Sequence, residues 1–327
     1  MPNTVAVIIP TKNRSIDLGL TFESIIRQSI LPNQIIVVDQ SEDDESCKQV
    51  EKLYREARSQ VRDVVRLDSV RDPGISGGAV ARNRAMEIAR GDIWLFLDDD
   101  VILEPNFVEE LLAVYQQHPH VLGVSGIISN YHKPHWAYLL WAIVFLRGPF
   151  HDERQPIYWN ANRLRKTEPI QVGKFTGALM SFRAEAIRAN RFDENLIGVS
   201  DGEDVDFCAR LGSDPFLVIA PRARLIHKKS AVGRTQDHWL RRFAQANYYL
   251  YHRNWQSGIR NRLAFVWLNV GLGVAAFLAS VQRGTLAPWG ALREGARDGM
   301  RVGRLKIVAH RKAAEVTANP ARFGWRL

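Results

Sequence analysis

Four short apolar runs, separated by helical patterns, constrain the fold of this chain more than any other feature of its sequence. The runs cover residues 5–9, 34–38, 64–67 and 93–97. Each has the length and composition of a strand that is buried in a parallel sheet. Helical patterns cover residues 16–28, 47–60 and 79–89. Strands that alternate with helices predict a doubly wound α/β sheet, in which ligands bind beyond the carboxyl ends of the strands.

Three of the four predicted strands end in polar residues. Residues 11–14 follow the first run, Asp39 follows the second, and the triplet Asp98, Asp99 and Asp100 follows the fourth. Carboxylates two positions apart can face one side of a turn and hold a hard divalent cation, because Mg²⁺ and Mn²⁺ accept oxygen ligands. A solvated acidic turn or a helix N-cap cluster would give the same triplet. The neighbouring polar strand ends favour the metal site.

A second acidic cluster, Glu203, Asp204 and Asp206, lies at the start of a predicted helix. A carboxylate beside another acid can have its pKa raised toward the range in which it takes a proton from a hydroxyl group. Asp206 and Arg210, four residues apart, can form an ion pair on one helix face. Alternatively, all three acids are an N-terminal cluster that the helix dipole stabilises. The sequence thus offers a second candidate site, for acid–base chemistry.

The motifs around these residues resemble those of family 2 glycosyltransferases, which have the GT-A fold. The matching stretches are VIIPTKNR (7–14), VVDQSEDD (37–44), ARNRAMEIARGDIWLFLDDDV (81–101) and FDENLIGVSDGEDVDFCARL (192–211). The likeness covers about the first 230 residues. It implies an inverting hexosyltransferase of the EC 2.4 class, with a Rossmann-like mixed, mostly parallel sheet that is flanked by helices.

The resemblance also implies how the donor, a UDP- or dTDP-sugar, is bound. Pro10, Thr11 and Arg14 would line the nucleotide pocket, and Asp39 would accept a hydrogen bond from the base edge. Arg82, on the helix after the glycine-rich loop, would approach the donor phosphates or the base. Without the resemblance, Asp39 could be an exposed turn residue, and Arg82 could be a surface arginine.

For the metal, Mn²⁺ or Mg²⁺, the resemblance implies three ligands. Asp100 would be the principal ligand, Asp98 would contact the metal or the ribose, and His227 would complete the site, since imidazole suits Mn²⁺. Asp99 occupies the variable middle position of the triplet, so a smaller part in donor binding is expected of it. A lone histidine such as His227 is more often structural than a ligand.

The resemblance assigns the chemistry of transfer to the second cluster. Asp204 would be the base that takes the proton of the acceptor hydroxyl group, and Glu203 would orient the acceptor. The small residues Gly177 and Ala178 precede this cluster, and they would let the donor sugar approach the backbone closely.

Charge and cysteine content indicate how the chain is organised. From residue 231 onward there are 16 Lys and Arg against 4 Asp and Glu, which leaves 28 basic and 31 acidic residues before it. This asymmetry predicts a GT-A domain over 1–230 and a basic, helical, membrane-associated region over 231–327. Two cysteines far apart in sequence favour a reducing compartment, and the N-terminal residues lack a basic signal region. We therefore expect the catalytic part on the cytoplasmic side.

The basic region contains an apolar stretch, residues 263–281, of 19 residues without charge. Ten Lys and Arg follow it, and one crossing would place them outside, against the positive-inside rule. An interfacial or re-entrant arrangement is therefore expected, with a basic amphipathic helix over 289–316 and an aromatic segment over 135–146 beside it. Alternatively, both apolar stretches pack inside a helical subdomain.

Together these features predict an enzyme that transfers a sugar to a lipid-linked or cell-envelope glycan acceptor at the cytoplasmic membrane face. A processive synthase fits less well, because its Gln-x-x-Arg-Trp motif is absent after position 204. The alternative is a nucleic-acid- or anionic-lipid-binding protein with a non-catalytic GT-A domain. In the tail, arginines alternate with apolar residues and zinc-ligand spacing is absent, which suits lipid, so no nucleic-acid partner is expected.

Overall fold

A mixed β-sheet with helices on both faces is the centre of the fold. The computed structural model describes residues 3–131, 135–150, 167–196, 202–212, 216–229 and 239–306. The strands are β1 (Val5–Thr11), β2 (Gln34–Asp39), β3 (Arg66–Arg71), β4 (Ile93–Leu97), β5 (Val101–Leu103), β6 (Gly123–Ile128), β7 (Ile170–Val172), β8 (Leu179–Arg183) and β9 (Leu217–His227).

The helices lie between and after these strands. They are α1 (Ser15–Ile26), α2 (Glu45–Glu56), α3 (Ser59–Val64), α4 (Gly78–Ile88), α5 (Phe107–Gln117), α6 (Trp136–Ala142), α7 (Ala184–Ile187), α8 (Glu203–Ala209), α9 (Trp239–Asn254), α10 (Ile259–Arg283) and α11 (Ala287–Gly303). A π-helical turn, Ile143–Arg147, continues α6.

The first four strands form the parallel half of the sheet, in the order β3-β2-β1-β4. Side chains of β1 alternate between two cores: Val7 and Ile9 pack with Phe22 of α1, whereas Ile8 packs with Ala85 of α4. Such apolar runs suit strands that are covered on both faces. In the register of β1 and β2, the last residues of the two strands are paired, so their polar ends lie at one edge.

The second half of the sheet is largely antiparallel. The order continues β4-β8-β6-β9-β5, with β7 also on β9, and here β6 and β9 alone are parallel among the described strands. The predicted mixed sheet is confirmed, but its mostly parallel character holds for β1–β4 only. The physical reason is that β8 enters between β4 and β6 and runs against both.

Two element bounds differ from the sequence prediction. The helix predicted over 47–60 is two helices, α2 and α3, because Ala57 and Arg58 adopt extended backbone angles between them. The third strand, predicted over 64–67, is Arg66–Arg71. Both errors lie in polar segments, where periodicity is weak.

Three helices, α9, α10 and α11, follow the sheet. Glycines of α11 lie against backbone carbonyls of α9, so that a Cβ atom there would be 2.7 Å or less from the carbonyl oxygen. The pairs are Gly295 with Arg241, Gly299 with Gln245, and Gly303 with Tyr249. A four-residue glycine repeat thus lets the two helices pack backbone to backbone.

The predicted interfacial segments are largely helical where the structure describes them, but the helix predicted over 289–316 already ends at Gly303, before the described residues end. Helix α10 is long and apolar enough to cross a membrane, by length and composition alone. The predicted amphipathic helix corresponds to α11 up to Gly303, and the part of the prediction beyond residue 306 lies outside the described residues. The predicted domain boundary near residue 230 also lies outside them.

Candidate active site

Asp98, Asp100 and His227 come together at the carboxyl end of β4. The triplet follows β4 as a turn into β5, and β5 pairs with the end of β9 so that Val101 is opposite His227. The Nε2 atom of His227 lies 2.9 Å from Oδ1 of Asp100 and 3.9 Å from Oδ2 of Asp98. One ligand atom from each residue lies within 4.8 Å of the other two. Two carboxylate oxygens and one imidazole nitrogen are a donor set that suits Mn²⁺, so the residues fit the predicted metal.

The backbone of His227 is fixed by Asn130, which the sequence analysis missed. The backbone N–H of His227 donates to Oδ1 of Asn130 at 3.0 Å, and Nδ2 of Asn130 donates to the carbonyl oxygen of His227 at 2.8 Å. The next residue, Lys228, donates its N–H to the carbonyl oxygen of Asp100. An asparagine just after a strand was the available signal, because its amide can continue the hydrogen bonding of a strand.

The middle residue of the triplet, Asp99, is buried and ties β1 to β4. It accepts hydrogen bonds from Oγ1 of Thr11 at 2.7 Å and from Nη1 of Arg14 at 2.8 Å. Burial raises the pKa of Asp99 to about 6, although Arg14 opposes this shift. Asp99 thus positions Thr11 and Arg14, the two side chains expected in the nucleotide pocket, although only a small part in donor binding was expected of Asp99 itself. Pro10 precedes them in β1 and is partly exposed.

Asp39 is fully buried at the end of β2. Its Oδ1 accepts hydrogen bonds from the backbone N–H and the hydroxyl group of Ser41, at 3.0 and 2.5 Å. The alternative that Asp39 is an exposed turn residue is therefore wrong. Beside it, the side chain of Gln40 accepts a hydrogen bond from the N–H of Gly77 and so holds the glycine-rich loop against the end of β2.

Arg82 joins the two acidic clusters. Its Nη1 lies 3.0 Å from Oε1 of Glu203, and its Nη2 donates to Oδ1 of Asp98 and to the carbonyl oxygen of Gly177, both at 3.2 Å. The guanidinium group is almost completely buried, so the alternative of a surface arginine is wrong. The helix after the glycine-rich loop thus brings this charge to Glu203, which is 121 positions away in sequence.

The second cluster begins helix α8. Gly202 has a positive φ of 107° that turns the chain into the helix, and Glu203 and Asp204 follow in its first turn. Asp204 accepts hydrogen bonds from the N–H of Gly177 at 2.7 Å and from the N–H of Val205 at 2.8 Å. Burial raises the pKa of Glu203 to about 7, a shift that Arg82 opposes and Asp204 reinforces. Gly177 therefore contacts both the predicted base and Arg82.

Asp206 faces away from this site. It accepts hydrogen bonds from Nε and Nη2 of Arg210, at 3.0 and 2.9 Å, which confirms the predicted ion pair. It also accepts one from Nδ2 of Asn254, in the last turn of α9, at 2.8 Å. Asp193 likewise pairs with Arg253 of α9. Helix α9 thus holds both the loop before α8 and α8 itself.

A second residue that the sequence analysis missed is Asn83, next to Arg82. Its side chain donates to the carbonyl oxygen of Phe192 at 2.9 Å and accepts from the N–H of Phe192 at 2.8 Å. A buried asparagine inside a helix is the signal, because asparagine is a poor helix former unless its amide has partners. Asn83 fixes the start of the loop that leads to Glu203.

The family of the chain follows from its sequence. Residues 6–188, more than half of the chain, match the family model described as Glycosyl transferase family 2. A glucosyl-dolichyl phosphate glucuronosyltransferase of Haloferax volcanii is 25% identical over 128 residues, which are 39% of this chain and 38% of that protein. The chain matches less than half the length of each of its curated relatives.

Solved structures share the fold. A mannosyltransferase from Pyrobaculum calidifontis, in complex with GDP-Man and Mn²⁺, has a TM-score of 0.55 at 16% identity over 93% of this chain and 86% of that one. GalNAc-T7 with UDP, GalNAc and Mn²⁺ has a TM-score of 0.54 at 18% identity over 76% of this chain and 50% of that one. These likenesses confirm the predicted GT-A-like mixed α/β fold. With the family model over more than half of its length, the chain belongs to glycosyl transferase family 2.

Proposed function

We propose that this family 2 glycosyltransferase moves a sugar, with inversion, from a nucleoside-diphosphate sugar to a hydroxyl group of a lipid-linked or cell-envelope glycan. The observation that carries the proposal is the placement of Asp204 beside a candidate metal cluster, with Arg82 between them. One side of this cleft offers cation ligands, and the other offers a carboxylate that can act as a base.

Asp98, Asp100 and His227 would hold the divalent cation, Mn²⁺ or Mg²⁺. When bound, it would neutralise charge on the donor diphosphate as the bond to the sugar breaks. Both Mn²⁺-bound neighbours have a related fold, which supports this assignment. Thr11, Arg14 and Asp39, at the ends of β1 and β2, lie on the side where the nucleoside would bind, with a uridine or thymidine base.

Asp204 would take the proton of the acceptor hydroxyl group while that oxygen attacks the anomeric carbon and the diphosphate leaves from the opposite face. The N–H groups of Gly177 and Val205 orient its two oxygens. Glu203, buried and paired with Arg82, would keep the guanidinium group in place and orient the acceptor. General-base catalysis of this kind contributes roughly 10²–10⁴-fold to the rate.

A membrane-linked acceptor at the cytoplasmic side is the finer part of the proposal. Its support is the exposed apolar surface of α10, the basic composition of the chain after residue 231, and the relative whose name describes action on glucosyl-dolichyl phosphate. Incubation with labelled donors and membrane extract, followed by organic extraction, distinguishes a lipid-linked product from a water-soluble one.

The transfer itself is tested by a screen of nucleotide sugars with Mn²⁺ or Mg²⁺ and membrane extract. Asp100→Ala should lose metal-dependent nucleotide binding. Asp204→Asn should keep nucleotide affinity but lower kcat about 10²–10⁴-fold. Asp63→Asn, an exposed residue of α3, is the matched control and should behave as the wild type. Turnover of Asp204→Asn at the wild-type rate would remove Asp204 from the mechanism.

A further inference from the structure

One face of α10 is both apolar and exposed along its whole length. Its side chains recur every three or four residues and are between 40% and 67% exposed; they include Leu263, Val266, Val270, Val274, Phe277 and Val281. Residues at this spacing share one face of a helix. Continuous exposed apolar surfaces of this kind are rare on soluble monomers and mark sites of interaction.

The opposite face of α10 belongs to the protein core. Leu268 packs with Leu146 of the π-helical turn, and Leu272 and Ala276 pack with Leu240 of α9. A helix that crossed a bilayer alone would have to leave these contacts and expose their partners to water. The packing therefore keeps α10 on the body of the protein, with one face available to a partner.

Charges at the two ends of α10 limit what that partner can be. Arg260 and Arg262 lie at its start and Arg283 at its end, and all three are exposed. If α10 crossed a membrane, the arginines at one of its two ends would lie on the side away from the cytoplasm, against the positive-inside rule. If α10 lies parallel to the bilayer, all three can reach anionic headgroups while the apolar face enters the acyl boundary.

Tryptophans of α6 and of α10 itself adjoin this surface. Trp141 of α6 donates its indole N–H to the carbonyl oxygen of Gly271 at 2.8 Å, and Trp267 of α10 donates to that of Val144 at the same distance. Trp136, at the start of α6, is 69% exposed. Helix α6 is thus fastened alongside α10. Aromatic side chains of this kind concentrate at the boundary between headgroups and acyl chains.

We propose that the exposed face of α10, flanked by α6, is the docking surface for an anionic lipid bilayer, with α10 lying parallel to the membrane plane. This inference deepens the proposed function and rests on it, since docking would bring the enzyme to the membrane-linked acceptor proposed there. Binding to lipid requires neither donor nor metal. It can therefore be measured, and can fail, independently of transfer.

The first test is flotation of the full chain with vesicles of phosphatidylcholine, alone or mixed with phosphatidylglycerol. Val270→Asp/Phe277→Asp should lower partition into the mixed vesicles at least about tenfold, because two apolar side chains no longer enter the bilayer. The matched control, Val64→Asp/Ile30→Asp, makes the same kind of change at exposed apolar positions outside this face, and should float like the wild type. Val64 is 46% exposed and Val270 is 49% exposed.

The second test concerns charge. Arg262→Glu/Arg283→Glu should lower partition about tenfold or more on mixed vesicles and leave partition on phosphatidylcholine unchanged. Arg58→Glu/Arg90→Glu, a reversal at exposed positions of the sheet domain, is the control. Wild-type flotation of the Asp double variant, or equal losses on both kinds of vesicle for the Glu double variant, would overturn the proposal.

A third test distinguishes the parallel orientation from a crossing. Both native cysteines are buried, so a cysteine introduced at Leu263, Val270 or Val281 can be labelled selectively with an environment-sensitive dye. Depth quenching should place all three labels at one shallow depth. A label at Val270 that lies much deeper than the other two would mean that α10 crosses, and would refute the parallel arrangement. The variant Asp204→Asn should bind vesicles like the wild type even if transfer is lost.

Discussion

The carboxylates that follow β4 and those that begin α8 face each other across Arg82, yet they are held by different parts of the molecule. Asp98 and Asp100 stand at the end of a central strand, in a turn tied to β1 and β9. Glu203 and Asp204 stand at the start of a seven-residue helix whose far side rests on α9.

This difference shows that the two halves of the site depend on different kinds of stability. Strand register fixes the metal side of the site, which is Asp98, Asp100 and His227, because β4 is hydrogen-bonded to β1 and β8, and β9 to β5 and β6. The base side of the site, which is Glu203 and the proposed base Asp204, depends on helices that follow the sheet. A small number of polar contacts join α9 to Asp206 of α8 and to Asp193. The helical region from residue 239 onward thus supports the candidate active site and also offers a candidate membrane surface.

Removal of the group that joins the two sides should have the largest effect. Arg82→Met leaves Glu203 and Asp98 without their shared buried cation, and we expect a loss of about 3–5 kcal/mol in the free energy of unfolding. Urea titration measures it. Arg84→Met, on the same helix but paired with Glu87 at the surface, should cost less than about 0.5 kcal/mol. Equal losses for the two variants would mean that the bridge is not important for stability.

The pH dependence of stability, compared between the wild type and Glu203→Gln, tests the base side alone. Burial raises the pKa of Glu203 from 4.5 to about 7. The contribution of the protonated Glu203 to the free energy of unfolding is therefore fully present below pH 4.5 and is lost as the pH rises through 7. Glu203→Gln removes this titration. The free energy of unfolding of the variant, relative to the wild type, should therefore rise by up to about 3 kcal/mol between these pH values. Glu185→Gln, an exposed residue of α7, should show no such rise.

The packing of α11 on α9 tests how far the helical region supports the base side. Gly299→Ala would place a Cβ atom 2.2 Å from the carbonyl oxygen of Gln245, and should cost about 1–3 kcal/mol. Gly290→Ala, on the same helix with no atom within 4 Å of the new Cβ, should instead stabilise by about 0.5–1 kcal/mol. Thermal unfolding gives both values. Effects of the same sign would contradict the packing described.

The contact between α9 and α8 should give the smallest effect. Asn254→Ala removes one hydrogen bond to Asp206, which keeps Arg210, so stability should fall by about 1 kcal/mol. Since α8 carries Asp204, kcat for transfer should fall while nucleotide affinity is unchanged. Asn261→Ala is the control, because that amide donates to the carbonyl oxygen of Ser257, just before its own helix α10. A loss of nucleotide affinity in Asn254→Ala would instead place α9 on the metal side.

The parallel half of the sheet could be predicted from sequence because its signals are local. Residues 93–97 were predicted as a strand with the bounds that β4 has, and the acidic triplet follows as expected. β1, β2 and β4 are each one apolar run that ends in its own polar residues, whereas β3 is polar and its predicted bounds are wrong. Periodicity within a short window is enough to find such elements.

The antiparallel half and the connections of the site could not be predicted in this way. Strand β8 pairs Leu179 with Leu97, and no local pattern specifies a partner so distant in sequence. The resemblance named Arg82 and Glu203, but their mutual contact depends on the packing of α4 against the loop that leads to α8. Asp99 was underestimated, because its partners Thr11 and Arg14 lie on another strand end.

The separation of Arg82 from Glu203 has a consequence for synthesis of the protein. Glu203 is the 121st residue that the ribosome adds after Arg82. At about 5–20 residues per second this takes roughly 6–24 s. During that interval β1 to β4 can already pair, since all four precede residue 98. The nascent chain then carries an arginine destined for burial while its main carboxylate partner does not yet exist. The contact between Arg82 and Glu203, which joins the two acidic clusters, can therefore form only late in the synthesis of the chain.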